Sequence, residues 1–379
     1  MTTVFADVAR RADEAVADVD TRHCRSALDD LDLFGLHAML RVLRNALPDS
    51  VTRNEAQIAT RLGVASRHRW LLRRWLRELT DRGQLSYSSG RGYDLARPAA
   101  TPQRAQLRQA CADLGFAPEL AQFFDRANRQ LSALLQERVL PQELLFPDGD
   151  FFTAEAAYRT NPVNRYLNVA AREVISRLVA ELREQRSPVR ILELGAGVGG
   201  TTTDIVAALR DSPVEYHFTD LSAFFLTAAR DRFAEYPWMQ YGIVDLNTDL
   251  PGRPPCDIVL AANVLHNARH TGRTLRQLAD LLAPGGHLVF VESCREHCQL
   301  LTSMHFLMSP RAGGTPPGQD DVRAGTDRIF LRVHEWLDDL TAAGLEPWLV
   351  LPEAEHPLAP HGQRIFAARK PHPAAGGRS

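Results

Sequence analysis

Lysine is nearly absent from this sequence. Of 44 lysines and arginines, only Lys370 is a lysine. That bias reads as a GC-rich, bacterial genome and carries no mechanism. Cysteine is sparse and odd in number, five in all, which fits a reducing cytoplasm. No run of 18 apolar residues occurs, so no transmembrane helix is expected. The opening "MTTVFADVARRADEAVADVD" has acids where a signal peptide needs an apolar core, so export is not expected and a cytoplasmic protein is. Charge of one sign is lacking too. A net charge of −2 gives no global field to draw nucleic acid or a membrane. What is present is a 379-residue chain with 45% hydrophobic and 24% charged residues, enough for two or three soluble domains around a sizeable core.

Three regions separate, with a short tail. Residues 1–97 read as an N-terminal helical domain of winged-helix type. "LFGLHAMLRVLRNAL" has the helix period. Thr52, with Glu55 three residues on, is the candidate N-cap of a short helix that Gly63 ends. A second helix spans about Ser66–Asp81, and "QLSYSSGRGYDL" reads as a hairpin turning at Gly90–Gly92. "ARPAATPQ" is the linker. Residues 98–188 read as a helical linker and lid, with "PQELLFPDGDFF" as loop and a helix from about Pro162 to Gln185. Residues 189–370 alternate short apolar runs with helical segments, the βαβ pattern of a mostly parallel, doubly wound sheet. "LEPWLVLP" and "QRIFAARK" lack a helix between them and should pair antiparallel at one edge. Residues 371–379 should be a disordered tail.

The stretch "ILELGAGVGGTT", Ile191–Thr202, is the strongest motif. Gly195, Gly197 and Gly200 satisfy the spacing of dinucleotide-binding turns, and Asp220 follows about 20 residues on, where a ribose-binding acid belongs. On these residues alone a nicotinamide cofactor is admissible. The surroundings narrow the choice. Glu193 precedes the first glycine by two, "FTDLS" carries Asp220, "VDL" carries Asp245, "AANVLH" ends the next strand and "LLAPGGHLVFVE" opens the one after.

This set resembles the class I S-adenosylmethionine methyltransferases, with a seven-stranded Rossmann-like sheet whose last strand is antiparallel. The resemblance implies S-adenosylmethionine as cofactor. Asp220 would accept its ribose hydroxyls. Asp245 would take the adenine amino group and Leu246 would offer a backbone amide, while Glu193, Gly195, Gly197, Thr201, Leu221 and Asn263 would complete the site. More narrowly, "LLFPDGDFFTAEAAYRTNPVNRYLN", "YHFTDLSAFFLTAA" and "DIVLAANVLHNARHTGRTLRQLADLLAPGG" are similar to the C-methyltransferase domains of polyketide synthases and nonribosomal peptide synthetases, densely over residues 145–295. The chain carries no synthase or carrier segment, so a stand-alone relative is expected, with a homodimer as its assembly, in bacterial natural-product (antibiotic) biosynthesis.

In that family the residues matching His266 and Glu292 are the catalytic pair, and the region of Tyr158, Tyr166 and Asn168 is a lid over the cofactor. The chemistry agrees. A carbon acceptor must lose a proton before it can attack, and histidine titrates near neutrality, so His266 serves as general base with Glu292 fixing its tautomer. The acceptor is then an acidifiable carbon: ortho to the phenol of an aromatic amino acid-like substrate, or the α carbon of a β-ketoacyl group, free or on a carrier protein. O- or N-methylation of a small metabolite is the alternative. Tyr158 and His266 are substrate-side candidates. In "ESCREHCQLLTSMHFLM" the cysteines Cys294 and Cys298 would share a helical face, but an acceptor wall from Met304, Phe306 and Met308 is preferred to a metal site.

Residues 51–100 hold 10 arginines against 4 acids, and Arg67, His68, Arg69, Arg73, Arg74 and Arg77 crowd one helix. A DNA-recognition helix, in a cofactor-sensing regulator, has this composition. A lid or dimerisation domain with a solvated helix is the preferred reading, with neither nucleic acid nor membrane as partner.

Overall fold

The computed structural model of the chain describes residues 2–48, 51–95, 104–146, 152–250, 252–310, 314 and 316–372. Helices α1 (Thr2–Glu14) and α2 (Cys24–Arg44) precede α3 (Glu55–Leu62), α4 (Arg69–Asp81) and the antiparallel hairpin β1 (Leu85–Ser88) and β2 (Gly92–Leu95). Six helices follow: α5 (Arg104–Asp113), α6 (Pro118–Arg129), α7 (Leu131–Leu135), α8 (Pro141–Leu145), α9 (Phe152–Glu155) and α10 (Pro162–Leu182). The rest alternates: β3 (Val189–Leu194), α11 (Gly200–Ala208), β4 (Val214–Asp220), α12 (Ala223–Arg232), β5 (Met239–Ile243), β6 (Cys256–Ala262), α13 (Thr271–Leu281) and β7 (Leu282–Ser293). It closes with α14 (Cys298–Leu301), α15 (Val333–Ala342), β8 (Glu346–Leu351) and β9 (Gln363–Arg369).

Strands β3 to β9 form one seven-stranded sheet in the order β5-β4-β3-β6-β7-β9-β8. β9 runs antiparallel to both neighbours and the other pairs are parallel. The central strands are buried on both faces, which is why "CDIVLAA" and "LVFVES" are nearly unbroken apolar runs. Strand order reverses between β3 and β6, so a crevice opens outside their carboxyl ends.

The cores divide the chain differently from the sequence regions. Val8, Ala12 and Val16, in and just after α1, pack with α10 and the sheet, so the first helix belongs to the sheet-bearing half. The helical core gathers α2 to α8, runs on to Ala156, and takes in Cys298, Leu301, Met304 and Phe306 from beyond β7. The expected boundaries at 97 and 188 therefore do not follow the packing. Other expectations shift locally. Asn54 and Gln57, not Thr52 and Glu55, form the capping box of α3, because Arg53 is paired with Tyr93 in extended conformation and delays the helix. "PQELL" is helical, with Pro141 at its start, where proline costs no hydrogen bond. The linker "ARPAATPQ" and most of the tail lie outside the described residues.

Most basic side chains of α4 and of the turn before it bond to the segment after β7, while Arg69 is exposed. Arg73 binds the Asp327 carboxylate at 2.7 Å and Arg74 binds Glu296 at 2.6 Å. Arg67 donates to the Ser309 carbonyl at 2.7 Å, and Arg77 to the carbonyls of Gly325 and Thr326. His68 and Trp70 share the Ser309 hydroxyl at 2.7 and 2.9 Å. Arg67, Arg73, Arg74 and Arg77 thus hold residues 296–327.

The seat of α2 on the segment after β7 is tight. A Cβ on Gly35 would lie 2.5 Å from the Cys298 carbonyl carbon and oxygen and 2.7 Å from the Gln299 nitrogen, all backbone. Gly35→Ala should destabilise the fold by about 1–3 kcal/mol, as overpacking does. Thermal unfolding reads this directly, and an unchanged Tm would mean that α2 does not sit there.

Candidate active site

β3 ends in a loop that only glycine can follow. Gly195 is in the left-handed region (φ 58°), and a Cβ there would overlap Val264. A Cβ on Gly200, the first residue of α11, would sit 3.1 Å from the Tyr158 carbonyl. The loop and the lid chain thus pass in close contact. Between them lies a cavity of about 300 Å³. Glu193, Gly195, Gly197, Thr201 and Asn263 line it, together with Asn164, Asn168, Phe146, Phe225 and Tyr158. Glu193 is fully buried. It accepts hydrogen bonds from Tyr216 Oη (2.7 Å) and Thr202 Oγ1 (2.8 Å), and burial pushes its carboxyl up to about 7.

The other expected cofactor residues lie outside this lining. Asp220 sits at the end of β4 and accepts from Gly197 N–H at 2.9 Å and Ser222 N–H at 2.8 Å, one bond to each carboxylate oxygen, which leaves acceptor capacity on both. Asp220→Ala would release the glycine loop as well as any ribose hydroxyl. Leu221 is exposed just beyond Asp220, next to the exposed Ile243 that pairs with Asp220 across β4 and β5. Asp245 accepts from Asn247 N–H and Leu246 is buried, both past the end of β5. Tyr166 is displaced outright. It is buried against His356, with ring centroids 4.9 Å apart, in the core shared by α1 and α10. The reason is helical: Asn164 and Asn168, four apart, face the cavity, so Tyr166 between them faces away. That pair of amides in "NPVNRYLN" was the available signal.

The lid is built by a single π-helical turn, Ala156–Thr160, between α9 and α10. Its loosened carbonyls are taken by amides. Asn161 Nδ2 donates to Ala156 O (3.0 Å) and Ala157 O (2.8 Å), and Asn164 Nδ2 donates to Ala157 O (2.6 Å). The turn sets Tyr158 at the junction with a second cavity of about 270 Å³. Asn263 and Leu307 also border both. Asn263 holds a left-handed backbone (φ 52°), a strained conformation that recurs at functional positions.

The second cavity is walled by Leu28 and Leu31 of α2, Leu120 and Phe124 of α6, and Met304, Leu307, Met308 and Phe330. Tyr158, His266, Met304 and Met308, the four substrate-side candidates, all line it. Phe306 does not; it packs edge-on to His68 and Trp75. Helix α14 begins only at Cys298, so Cys294 and Cys298 share no helical face. No Asp, Glu, Lys or Arg lines this cavity among the described residues. Two further histidines line it, His297 and His361; His361 is driven to about 3 by burial and then by His297, and burial lifts the Tyr158 phenol to about 12.

His266 lies on a tight turn, Leu265–Asn267, after β6, and Glu292 near the end of β7; the two strands pair in parallel. His266 Nδ1 is 2.8 Å from Glu292 Oε2, and the His266 amide donates to Oε1 at 3.2 Å. A carboxylate can only accept, so Nδ1 carries the proton and Nε2 is left as a lone-pair base. Both side chains are buried, and Phe330 packs edge-on to the imidazole with centroids 5.2 Å apart.

Comparison with known proteins supports a methyltransferase fold and family. Residues 192–288 match the family described as "Methyltransferase domain". The chain is 35% identical over 303 residues to pyochelin synthetase PchF of Pseudomonas aeruginosa, covering 76% of this chain but 16% of that protein. Its fold matches the CurJ carbon methyltransferase with a TM-score of 0.81 and 25% identity, over 97% of this chain and 98% of that one. The CMeT domain of the citrinin polyketide synthase matches in fold, with a TM-score of 0.75 and 19% identity, over 98% and 97%. S-adenosylmethionine fits the first cavity. Thr201 Oγ1 donates to Asn168 Oδ1 at 2.8 Å, leaving Asn168 Nδ2 without a partner among the described residues, and Glu193 waits there as an acidic acceptor.

Glu193 makes two pH dependences. Its folded-state pKa lies above that of an ordinary carboxyl, so the protonated form is preferred, and the stability it contributes is full at low pH and lost as pH rises toward about 7. A ligand that brings positive charge into the cavity favours the ionised form. S-adenosylmethionine affinity, by calorimetry, should therefore fall as pH drops below about 7, by at most about tenfold per pH unit. Glu193→Gln should flatten that dependence; an unaltered slope would assign it to another group.

Proposed function

We propose that this chain, a class I S-adenosylmethionine-dependent methyltransferase related to the C-methyltransferase domains of polyketide synthases and nonribosomal peptide synthetases, methylates the carbon between the two carbonyls of a β-ketoacyl thioester, with His266 as general base. One observation carries the reading: His266 of a buried His–Glu pair lines a cavity that adjoins the cofactor cavity and has no Asp, Glu, Lys or Arg among its described lining residues, and the pair's hydrogen bond occupies Nδ1, not Nε2.

The cofactor supplies an electrophilic methyl group. The chain's own residues must make the nucleophile. His266 Nε2 removes the acidified proton from the acceptor carbon, and the Glu292 carboxylate stabilises the imidazolium that results. Asn263 and Asn267 line the cavity beside His266 and can donate to the acceptor's carbonyl oxygens. The lid residue Tyr158, neutral at physiological pH, closes the junction against water. The absence of Asp, Glu, Lys and Arg from the described lining favours a neutral acyl group over an aromatic amino acid. A zwitterion there would leave buried ammonium and carboxylate groups unpaired. Its apolar far wall, from α2 and α6, suits the acyl chain. We assign the thioester to a carrier protein as its native bearer.

Two experiments follow. The 3-oxobutanoyl thioester of N-acetylcysteamine should gain a methyl group on the carbon between its carbonyls, and free tyrosine should not react; mass spectrometry that places the methyl on oxygen or nitrogen would contradict the reading. His266→Ala should lower kcat by about 10²–10⁴. Glu292→Gln should fall nearly as far, because its amide N–H turned to Nδ1 selects the wrong imidazole tautomer. Activity of Glu292→Gln within a few fold of wild type would leave Glu292 without that role.

A further inference from the structure

We propose that Arg323 is a positioning residue for His266, and that the arginine-rich helix α4 acts on the base through it. The inference rests on His266 being the base.

Arg323 lies between α14 and α15 and lines neither cavity. Its side chain is completely buried. Each of its five N–H donors is used. Nε and Nη2 grip the Asp321 carboxylate at 3.1 and 2.7 Å. Nη1 donates to the carbonyl of His266 itself at 2.7 Å and to that of Ile329 at 2.6 Å. Nη2 also donates to the Ala268 carbonyl at 2.8 Å. The guanidinium thus brackets the turn that carries the base, from the side opposite Glu292. Lysine has three donors and no planar fork, so it cannot make this set. The site is shaped for the group. Gly318, itself bonded to Ala268 O, has a left-handed backbone, and a Cβ there would lie 2.5 Å from Arg323 Nε. Asp321 is tied in turn to the start of α13 through the Thr271 N–H at 3.1 Å.

The connection to α4 is continuous. The Ile329 peptide is held at both ends: its carbonyl by Arg323 and its N–H by Glu296 Oε1 at 2.7 Å. Glu296 is the partner of Arg74, and Arg73 holds Asp327 two residues before Ile329. The next residue, Phe330, sets its ring edge-on to His266. Every contact that α4 makes with residues 325–329 therefore bears on the position of the imidazole. A misplacement of about 1 Å at a reacting group costs about 10²-fold in rate.

The test uses two acceptors. The 3-oxobutanoyl N-acetylcysteamine thioester needs a base; a trifluoromethyl β-diketone is acidic enough to be ionised in neutral buffer and does not. Arg323→Lys should lower kcat for the thioester by about 10²-fold and for the diketone by no more than about threefold. KM and S-adenosylmethionine affinity should stay at wild-type values. Arg73→Ala, a partly exposed change that leaves the core intact, should give the same selectivity on a smaller scale, about threefold to tenfold on the thioester alone. Equal losses on both acceptors would overturn the proposal, as would selective loss in neither variant. Should Arg323→Lys not fold, Arg73→Ala decides by the same criterion. His266→Ala is the control for the underlying reading. If it too strikes both acceptors equally, the base assignment has failed; if it is selective and the two arginine variants are not, only the role of Arg323 has.

Discussion

The site is organised around a carboxylate with no access to water. Glu292 is fully buried on β7, and a buried ionised carboxylate is tolerated only when it is paired. Its partners are the ring and the amide of His266, one strand over on β6. That requirement fixes the turn after β6, the imidazole tautomer and the direction of Nε2. The helical half of the chain then closes over the nitrogen so exposed, with α2 and α6 as one wall and the segment after β7 as another.

Two cavities meeting at Tyr158, Asn263 and Leu307 divide the work. The first is polar, built from the glycine loop, Glu193 and two amides of α10. The second is largely apolar, without Asp, Glu, Lys or Arg in its described lining, and carries His266, His297 and His361. Methyl transfer is a displacement that needs donor and acceptor in line, and an enolate that survives needs water kept out. The residues at the junction serve both needs: a strained asparagine at the end of β6 and a tyrosine delivered by a π-helical turn.

Much of this was legible in the sequence, for reasons that can be named. The βαβ alternation and the lone helix-free pair at the end made the sheet and the antiparallel pair at its edge legible, because hydrophobic period and connection length are local. His266 and Glu292 were found because strand ends in this topology converge at one crevice. What escaped depends on facing and on distant partners. Tyr166 was grouped with Tyr158 and Asn168 by proximity in sequence, yet its helical phase turns it away from Asn168. Asp220 was read as a ribose acceptor, and nothing local told that Gly197 N–H and Ser222 N–H would also be held by its carboxylate. The N-terminal helix was assigned to the wrong half, since nothing local says that Val8, Ala12 and Val16 will pack on α10. The arginines of α4 looked solvated or DNA-directed because their partners, Glu296 and Asp327, lie more than two hundred residues away.

The central claim is that His266 takes a proton from carbon before any methyl moves. Proton exchange isolates that step. In deuterated buffer, with S-adenosylhomocysteine bound in place of the methyl donor, the protein should catalyse loss of the proton signal of the carbon between the two carbonyls of the 3-oxobutanoyl thioester. His266→Ala should leave exchange at the buffer rate. The account predicts wild-type exchange faster by about 10²-fold or more, the contribution of a placed base. Wild-type exchange no faster than that of His266→Ala would contradict it.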